Sequence, residues 1–149
     1  MSTELIGYTS GVFDLFHIGH INILRNSKAL CDKLVVGVTP DDLVEKNKNK
    51  KAVIPFNERL EIIRSIKYVD LAIQQPSYDK KITWEKLKFD ILFVGDDWFN
   101  NSNWKEYEIF FSSVNVKVVY FPYTKNTSST LINNFLLKQR DEKEFNDIP

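Results

Sequence analysis

The chain has 149 residues, 43% hydrophobic and 27% charged, a composition typical of one globular domain with a single core. Its 20 basic and 20 acidic residues cancel, so no overall charge favours nucleic acid or an anionic membrane, and any phosphate site must be a local cluster. Cys31 is the only cysteine, which excludes an intramolecular disulfide and argues against a cysteine metal cluster. Without a secretory signal or an apolar run of roughly 18 residues, we expect a soluble cytoplasmic protein.

Strand-like and helix-like segments alternate along the chain, which predicts an α/β fold with a parallel sheet covered by helices. The five predicted strands are Glu4–Thr9, Lys33–Thr39, Val69–Gln74, Phe89–Val94 and Val116–Phe121. The predicted helices are His20–Leu30, a brief turn after Pro40, Pro55–Ile66, Asp79–Leu87, Trp104–Ser113 and Ser128–Leu137. We predict one domain over residues 1–138, followed by a charged C-terminal extension over residues 139–149.

The first predicted strand leads through Gly11 and a short connection into a helix. The chain's only two histidines, His17 and His20, lie there, three residues apart. At this spacing both imidazoles would share one helical face at a helix N-terminus, where backbone N–H groups and the helix dipole favour an anion. The alternative is one buried, satisfied histidine beside a surface one. Gly11 and Gly19, which frame the pair at a strand-to-helix turn, favour the anion site.

Two further stretches carry groups that can bind phosphate. Residues 46–51 are predicted to form a polar loop, in which an extended chain would project Lys46, Lys48 and Lys50 to one side. Hydroxyl groups crowd the start of the last predicted helix, where they can cap backbone N–H groups or bind phosphate. A solvated loop and a plain helix cap are the respective alternatives. Because the carboxyl ends of parallel strands meet at one edge of a sheet, we expect both stretches to converge with the histidines.

The stretch Gly11–His20 (GVFDLFHIGH) resembles the Gly-x-Phe-Asp-x-x-His-x-Gly-His signature of the cytidylyltransferase-like nucleotidyltransferases, most similarly the glycerol-3-phosphate cytidylyltransferase type. The resemblance runs from about Ile6 to about Ile132 and implies a Rossmann-like three-layer sandwich with strand order 3-2-1-4-5. It implies transfer of CMP from CTP to a small phosphorylated alcohol, sn-glycerol 3-phosphate above all, with release of pyrophosphate. Mg²⁺ would accompany the triphosphate. A homodimer and a role in making cell-envelope polymers are also implied.

The same resemblance assigns roles to single residues. His17 and His20 would contact the triphosphate and stabilise the transition state at the α-phosphate, Lys48 would meet the acceptor phosphate, and Lys50 the nucleotide phosphates. These four are our predicted catalytic residues. The other predicted nucleotide-binding residues are Val12, Phe13, Ile18, Gly19, Asp96, Tyr123, Thr124, Lys125, Asn126, Thr127, Ser128, Ser129 and Thr130. No residue is predicted to bind a metal directly.

Several residues near these have a structural or acceptor-binding interpretation. Asp14 is interpreted as structural, holding its loop through backbone N–H groups. Arg59 matches an arginine of the family, with a surface ion pair as the equal alternative. Lys80 or Lys81 aligns with a lysine that touches the acceptor in the family, and we predict Lys81. The acidic pair in Gly-Asp-Asp-Trp (residues 95–98) could hold a magnesium–nucleotide complex through water or simply close a strand.

The chain departs from the family pattern before the last helix, where the family reads Arg-Thr-x-Gly-Ile-Ser-Thr-Thr. Tyr123 replaces the arginine, and a phenol cannot provide a guanidinium fork for phosphate. Asn126 replaces the glycine and can still adopt a left-handed conformation. We hypothesise that Lys125 or the loop lysines supply part of the missing charge. Three alternatives stay open: another phosphorylated acceptor, ATP as donor, and a nucleotide-binding regulatory module with weak or no catalysis.

Overall fold

The computed structural model describes residues 4–95, 102, 104–122 and 128–146, without the side chains of residues 47, 48 and 141–146. Within these ranges the chain forms one sheet of five parallel strands. The strands are β1 (Ile6–Gly11), β2 (Lys33–Val38), β3 (Leu71–Gln74), β4 (Ile91–Gly95) and β5 (Lys117–Phe121). The helices are α1 (Ile18–Lys28), α2 (Asp41–Lys48), α3 (Phe56–Arg64), α4 (Lys80–Leu87), α5 (Trp104–Ser113) and α6 (Ser129–Asn146).

The strand order is β3-β2-β1-β4-β5, which confirms the predicted order. From β1 the chain builds outward through β2 to β3, then returns to the other side of β1 and continues through β4 to β5. The order of the strands therefore reverses between β1 and β4. In open sheets of this kind, ligands bind in the crevice beyond the carboxyl ends of the two strands at such a switch point.

Two apolar clusters, one on each face of the sheet, hold the three layers together. On one face, Leu24 of α1 and Ile63 of α3 are fully buried against Val36 and other residues of the sheet. On the other face, Tyr8 and Leu92 pack against Phe111 of α5 and its neighbours. Helices thus cover both faces of β2 and β4, which explains why these strands are nearly continuous runs of apolar residues. The predicted three-layer arrangement is confirmed.

Most predicted boundaries lie within two residues of the observed ones, and two predictions fail by more than that. Helix α2 continues through residue 48, so Lys46 and Lys48 are helical and do not alternate along an extended loop as predicted. Asp41 and Asp42 stabilise the first turn of this helix through the helix dipole, and Asn49 ends it in the left-handed conformation. Helix α6 continues to Asn146, well past the predicted end.

The helices of the described ranges were also compared with the length and hydropathy of a membrane span. None of them is both long enough and apolar enough to cross a bilayer. In α6, the longest of them, charged residues are concentrated in the second half.

Candidate active site

The imidazole of His17 caps the N-terminus of helix α1. His17 is the N-cap residue, and its Nδ1 accepts a hydrogen bond from the backbone N–H of Gly19 at 3.0 Å. The Nδ1 of His20 in turn accepts from the backbone N–H of His17 at 3.2 Å. This is a reciprocal capping box built from two imidazoles, and it fixes both rings at the helix N-terminus.

Because both Nδ1 atoms are acceptors, the proton of each neutral ring lies on Nε2, which makes Nε2–H the available donor. The rings of His17 and His20 are stacked, with their centroids 3.9 Å apart. Phe13 and Phe16 pack on His20, with centroids 5.4 Å and 5.2 Å away. Burial, followed by the neighbouring His17, lowers the pKa of His20 to about 4, and burial also lowers the pKa of His17. The pair therefore offers two neutral N–H donors at neutral pH.

The loop before the histidines has an unusual backbone. Phe13 and Leu15 both have positive φ angles, 54° and 49°, although neither is glycine. Conformations of this kind carry strain and persist only where the surroundings hold them. The side chain of Phe13 is buried in the core and is 6% exposed. Val12 and Phe13 are both predicted to line the nucleotide pocket. The buried ring of Phe13 packs against the imidazole of His20, and Val12 is half-buried.

Asp14 holds this loop to the segment that follows the lysines. Its two carboxylate oxygens accept hydrogen bonds from the backbone N–H groups of Val53 at 2.7 Å and Ile54 at 3.0 Å. One of them also accepts from the N–H of Leu15. The predicted structural role of Asp14 through backbone N–H groups is confirmed.

Arg59 joins the same loops from inside the protein. Its side chain is fully buried, at 0% exposure, so the alternative of a surface ion pair is wrong. The guanidinium donates to the carbonyl oxygens of Val12 at 2.7 Å, Thr39 at 2.8 Å and Ile54 at 2.8 Å. It also forms an ion pair with Asp41 at 2.6 Å. The five-donor fork thus ties the ends of β1 and β2 to the loop before α3.

The start of the last helix reaches the histidine loop. The Oγ of Ser129 donates a hydrogen bond to the backbone carbonyl of Asp14. The Oγ of Ser128 accepts from the backbone N–H of Leu131 at 3.0 Å, and Thr130 is exposed. The predicted convergence of this helix start with the histidine loop is therefore observed at Ser129.

The lysines predicted to bind phosphate are placed differently from one another. Lys50 is exposed and lies three residues before Val53, which Asp14 anchors. The backbone of Lys48 ends α2, and its side chain is outside the described atoms. Lys81 points its Nζ at the ring of Phe110, 5.3 Å from the centroid. Its neighbour Lys80 instead donates to the Oγ of Ser10 at 2.8 Å, at the end of β1.

The remaining predicted residues divide into exposed, half-buried and undescribed positions. Ile18 is 48% exposed, and Gly19 is half-buried in the first turn of α1. Asp96 and residues 123–127 lie outside the described residues, so the predictions for Asp96, Tyr123, Thr124, Lys125, Asn126 and Thr127 stay predictions.

The sequence alone had not shown that the side chain of Lys80 faces β1. The signal available was Asp79, whose carboxylate caps α4 through the N–H of Lys81 and fixes where that helix begins.

The carboxyl edge of the sheet thus gathers two imidazole N–H donors, a helix N-terminus, serine hydroxyls and a half-buried lysine. All of these groups donate hydrogen bonds or carry positive charge, and such a set suits the phosphate oxygens of a nucleotide.

Comparison with known proteins supports this interpretation. A family model described as cytidylyltransferase-like matches residues 8–142. The glycerol-3-phosphate cytidylyltransferase of Bacillus subtilis is 36% identical over 125 residues, which cover 83% of this chain and 91% of the relative. The FAD synthase of Thermococcus kodakarensis is 34% identical over 114 residues, 76% of each chain.

A solved structure shares the fold and a similar level of sequence identity. It is the lipopolysaccharide core biosynthesis protein from Thermoplasma volcanium, with a TM-score of 0.68 and 31% identity over 84% of this chain and 100% of that one. The match of the family model spans nearly the whole sheet and both histidines. The chain belongs to the cytidylyltransferase-like family, within the nucleotidyltransferase superfamily.

Proposed function

We propose that this chain transfers a nucleotidyl group from a nucleoside triphosphate to the phosphate of a small phosphorylated alcohol. CTP and sn-glycerol 3-phosphate are the first pair that we propose, with the CDP-alcohol and pyrophosphate as products. The observation that carries the proposal is the pair of neutral imidazoles, His17 and His20, fixed with both Nε2–H groups free of the capping bonds.

The reaction needs charge stabilisation more than a protein nucleophile. A phosphate oxygen of the acceptor attacks the α-phosphorus, a new P–O bond forms, and the bond to the bridging oxygen of pyrophosphate breaks. Negative charge grows on the bridging and equatorial oxygens in the transition state. Nε2–H donors at the α1 N-terminus would stabilise that charge without giving up a proton, because the neutral imidazoles remain donors throughout.

Mg²⁺ is proposed to enter as a complex with the triphosphate. Among the described residues, no group of three or more His, Cys, Asp or Glu side chains is arranged to hold a metal ion. Magnesium binds nucleotide phosphates and retains several waters, so it does not require a cage of protein ligands. The ion would neutralise charge on the leaving pyrophosphate, and the histidines would act on the α-phosphate.

A second candidate pair is ATP with flavin mononucleotide, which would give FAD. The similarity to the FAD synthase of Thermococcus kodakarensis is as close as that to the glycerol-3-phosphate cytidylyltransferases. Both candidates use the same attack on an α-phosphate and the same donors. They differ in the base and in the acceptor, and the predicted nucleotide-binding residues 123–127 lie outside the described residues.

Pyrophosphate release is the direct test. CTP and ATP would each be combined with sn-glycerol 3-phosphate, other polyol phosphates, an amino-alcohol phosphate and flavin mononucleotide, and the products identified by mass spectrometry. The proposal expects turnover with CTP and glycerol phosphate that His20→Ala lowers by about 10²-fold or more. Turnover only with ATP and flavin mononucleotide would replace the first pair by the second. Triphosphate binding without turnover of any pair would contradict the enzymatic proposal and favour a regulatory nucleotide-binding module.

The homodimer and the envelope role are finer parts of the same proposal. By resemblance to the family, residues Ile66–Asp70 would lie at the dimer interface. Here the Asp70 carboxylate accepts from the N–H of Leu34 and from Lys28 Nζ, both at 2.7 Å, which fixes the end of this segment against β2 and α1. Sedimentation equilibrium of the purified chain would test the dimer, and a monomer at all concentrations would contradict it. A CDP-alcohol product would be consistent with polymer synthesis in the cell envelope.

A further inference from the structure

The aromatic ring of Phe16 stacks on the imidazole of His20. The two ring centroids are 5.2 Å apart, and the ring planes differ by 28°. The imidazole of His17 stacks on His20 as well, at 3.9 Å and 27°. Phe13 meets the same imidazole edge-on, at 5.4 Å and 71°. The ring of His20 is therefore in contact with three other rings, which together limit how it can turn.

The capping hydrogen bond of His20 does not fix its ring by itself. The Nδ1 atom accepts from the backbone N–H of His17 at 3.2 Å, at the long end of the usual range for such bonds. The last torsion of a histidine side chain has broad energy wells, so one bond of this length leaves the ring plane free to turn. A stacked aromatic ring restricts that torsion, because turning the imidazole would lose the contact between the two faces. The orientation of Nε2–H therefore depends on the stack.

The position of Phe16 is set independently of His20. Its side chain packs against the buried apolar cluster on the face of the sheet that α1 and α3 cover. Its backbone lies between Leu15, which has a φ of 49°, and the N-cap residue His17, which is extended. A left-handed leucine persists only where the surroundings hold it, so the turn that presents Phe16 is itself held in place. Phe16 thus provides a fixed surface against which the imidazole is placed.

Core packing alone does not account for both phenylalanines of this loop. Phe13 is 6% exposed and belongs to the buried cluster, whereas Phe16 is only half-buried. A ring that stays partly in water gains less free energy from burial than one that is fully enclosed. The stacking partner of Phe16 is one of the two imidazoles on which the proposed reaction depends. The placement of Phe16 is therefore better explained by its effect on His20.

We propose that Phe16 is a positioning residue for His20. Its ring holds the imidazole in the orientation in which Nδ1 accepts the capping bond and Nε2–H is presented to a phosphate group of the nucleotide. This inference rests on the proposed nucleotidyl transfer. Phe16 acts through His20 and does not itself contact the reacting atoms. A donor that is aimed before the substrate binds stabilises the transition state without having to reorient during the reaction.

Two substitutions of Phe16 separate its ring from its bulk. Phe16→Leu keeps an apolar side chain and removes the flat face. We expect it to lower kcat by about tenfold and to change the KM of each substrate by less than about twofold, because the orientation of the donor matters most in the transition state. Phe16→Tyr keeps the ring, and its kcat should lie within about twofold of the wild-type value.

Phe121→Leu is the matched control. Phe121 is also half-buried, and its ring stacks on that of Phe93, with centroids 5.6 Å apart and 10° between the planes. Both leucine variants remove a stacked, half-buried ring, but only Phe16→Leu removes a contact with an imidazole. Phe121→Leu is expected to leave kcat unchanged. An equal fall of kcat in the two leucine variants, or a Phe16→Tyr variant as slow as Phe16→Leu, would overturn the proposal.

Nitrogen-15 NMR of the imidazoles tests the orientation without turnover. At pH 7 the neutral ring of His20 should carry its proton on Nε2, because Nδ1 accepts the capping bond. Its signals are assigned by their absence in His20→Gln. We expect a mixture of the two tautomers in Phe16→Leu, and the wild-type tautomer in Phe16→Tyr and Phe121→Leu. An unchanged tautomer of His20 in Phe16→Leu would overturn the proposal.

The kinetic and NMR measurements separate this inference from the proposed function. If the wild type turns over no substrate pair but the tautomer of His20 changes in Phe16→Leu, the nucleotidyl transfer fails and the role of Phe16 in orienting His20 stands. If Phe16→Leu does not fold, nuclear Overhauser contacts between Phe16 and His20 in the wild type decide the question. Strong contacts together with a normal kcat in Phe16→Tyr support the proposal, and their absence overturns it.

Discussion

The Oγ of Ser129 donates a hydrogen bond to the backbone carbonyl of Asp14, although the two residues are 115 positions apart in the chain. Asp14 lies between Phe13 and Leu15, whose φ angles are both positive. The last helix thus fixes the loop that presents the histidines.

Removing the Ser129 hydroxyl should impair binding of the triphosphate more than it lowers the free energy of unfolding. Ser129→Ala is expected to lower the free energy of unfolding by only about 1 kcal/mol. It should raise the KM for the triphosphate by about fivefold, because the loop loses one of its external hydrogen bonds. Urea denaturation and initial rates measure the two effects. Ser113→Ala, which removes a hydroxyl that bonds within its own helix α5, is the control. Equal effects of the two variants on KM would contradict the inference that Ser129 holds the histidine loop in place.

The two imidazoles should be essential for the rate. We expect His17→Ala and His20→Ala each to lower kcat by about 10²-fold or more, because in the proposed reaction each removes an N–H donor to the developing negative charge. Melting temperatures show whether the fold survives. A steep fall in melting temperature in both variants, with kcat lost in proportion to unfolding, would instead indicate a purely structural pair.

The depressed pKa of His20 predicts a stability that declines in acid. The folded-state pKa of about 4 lies below the ordinary value of 6.5. Between these pH values the His20 side chain is therefore protonated in the unfolded chain and neutral in the folded chain. Stability should therefore fall as the pH drops from about 6.5 towards 4, by at most about 3 kcal/mol from this residue.

Urea denaturation of the wild type and of His20→Gln at pH 7 and pH 4.5 measures this contribution. The wild type should lose more stability than the variant between the two pH values. Identical losses would show that burial does not depress the pKa of His20.

Arg59 should contribute strongly to the free energy of unfolding. Arg59→Met leaves the buried carbonyl oxygen of Thr39 and the half-buried one of Val12 without their donor, and we expect a loss of about 3 kcal/mol in the free energy of unfolding. Arg64→Met on the same helix should change it by less than about 0.5 kcal/mol, since that side chain is 56% exposed and lies 3.9 Å from Glu61. Urea midpoints of the two variants test this, and similar midpoints would contradict a buried role for Arg59.

Much of the fold could be predicted because the apolar strands are short and clearly bounded. The helix Trp104–Ser113 agrees residue for residue with its prediction. The end of the last helix is predicted too early because alternating charge, which is typical of a solvated end, is also compatible with helix, and α6 continues to Asn146. Likewise, the lysine-rich run reads as a loop by composition, whereas Asp41 and Asp42 stabilise a helix that begins earlier.

The roles of individual residues could be predicted where a sequence motif determines them. They could not be predicted where they depend on how a side chain is oriented in the fold. The role of Asp14 followed from the preference of aspartate for backbone N–H groups in turns. The burial of Arg59 did not, because three of its four partners, Val12, Thr39 and Asp41, lie 18 to 47 residues away in the chain. The different surroundings of Lys80 and Lys81 depend on the rotation of α4 against the sheet, which sequence spacing alone does not give.

The carboxylate of Asp14 also bears on how the protein matures. Its partners Val53 and Ile54 come 39 and 40 residues later, and Ser129, which donates to the backbone carbonyl of Asp14, comes 115 residues later. During synthesis the histidine loop would therefore emerge long before the groups that hold its strained backbone. A chain halted before the last helix would carry both imidazoles and yet lack the hydrogen bond from Ser129, so the histidine loop should become fixed only after α6 has been synthesised.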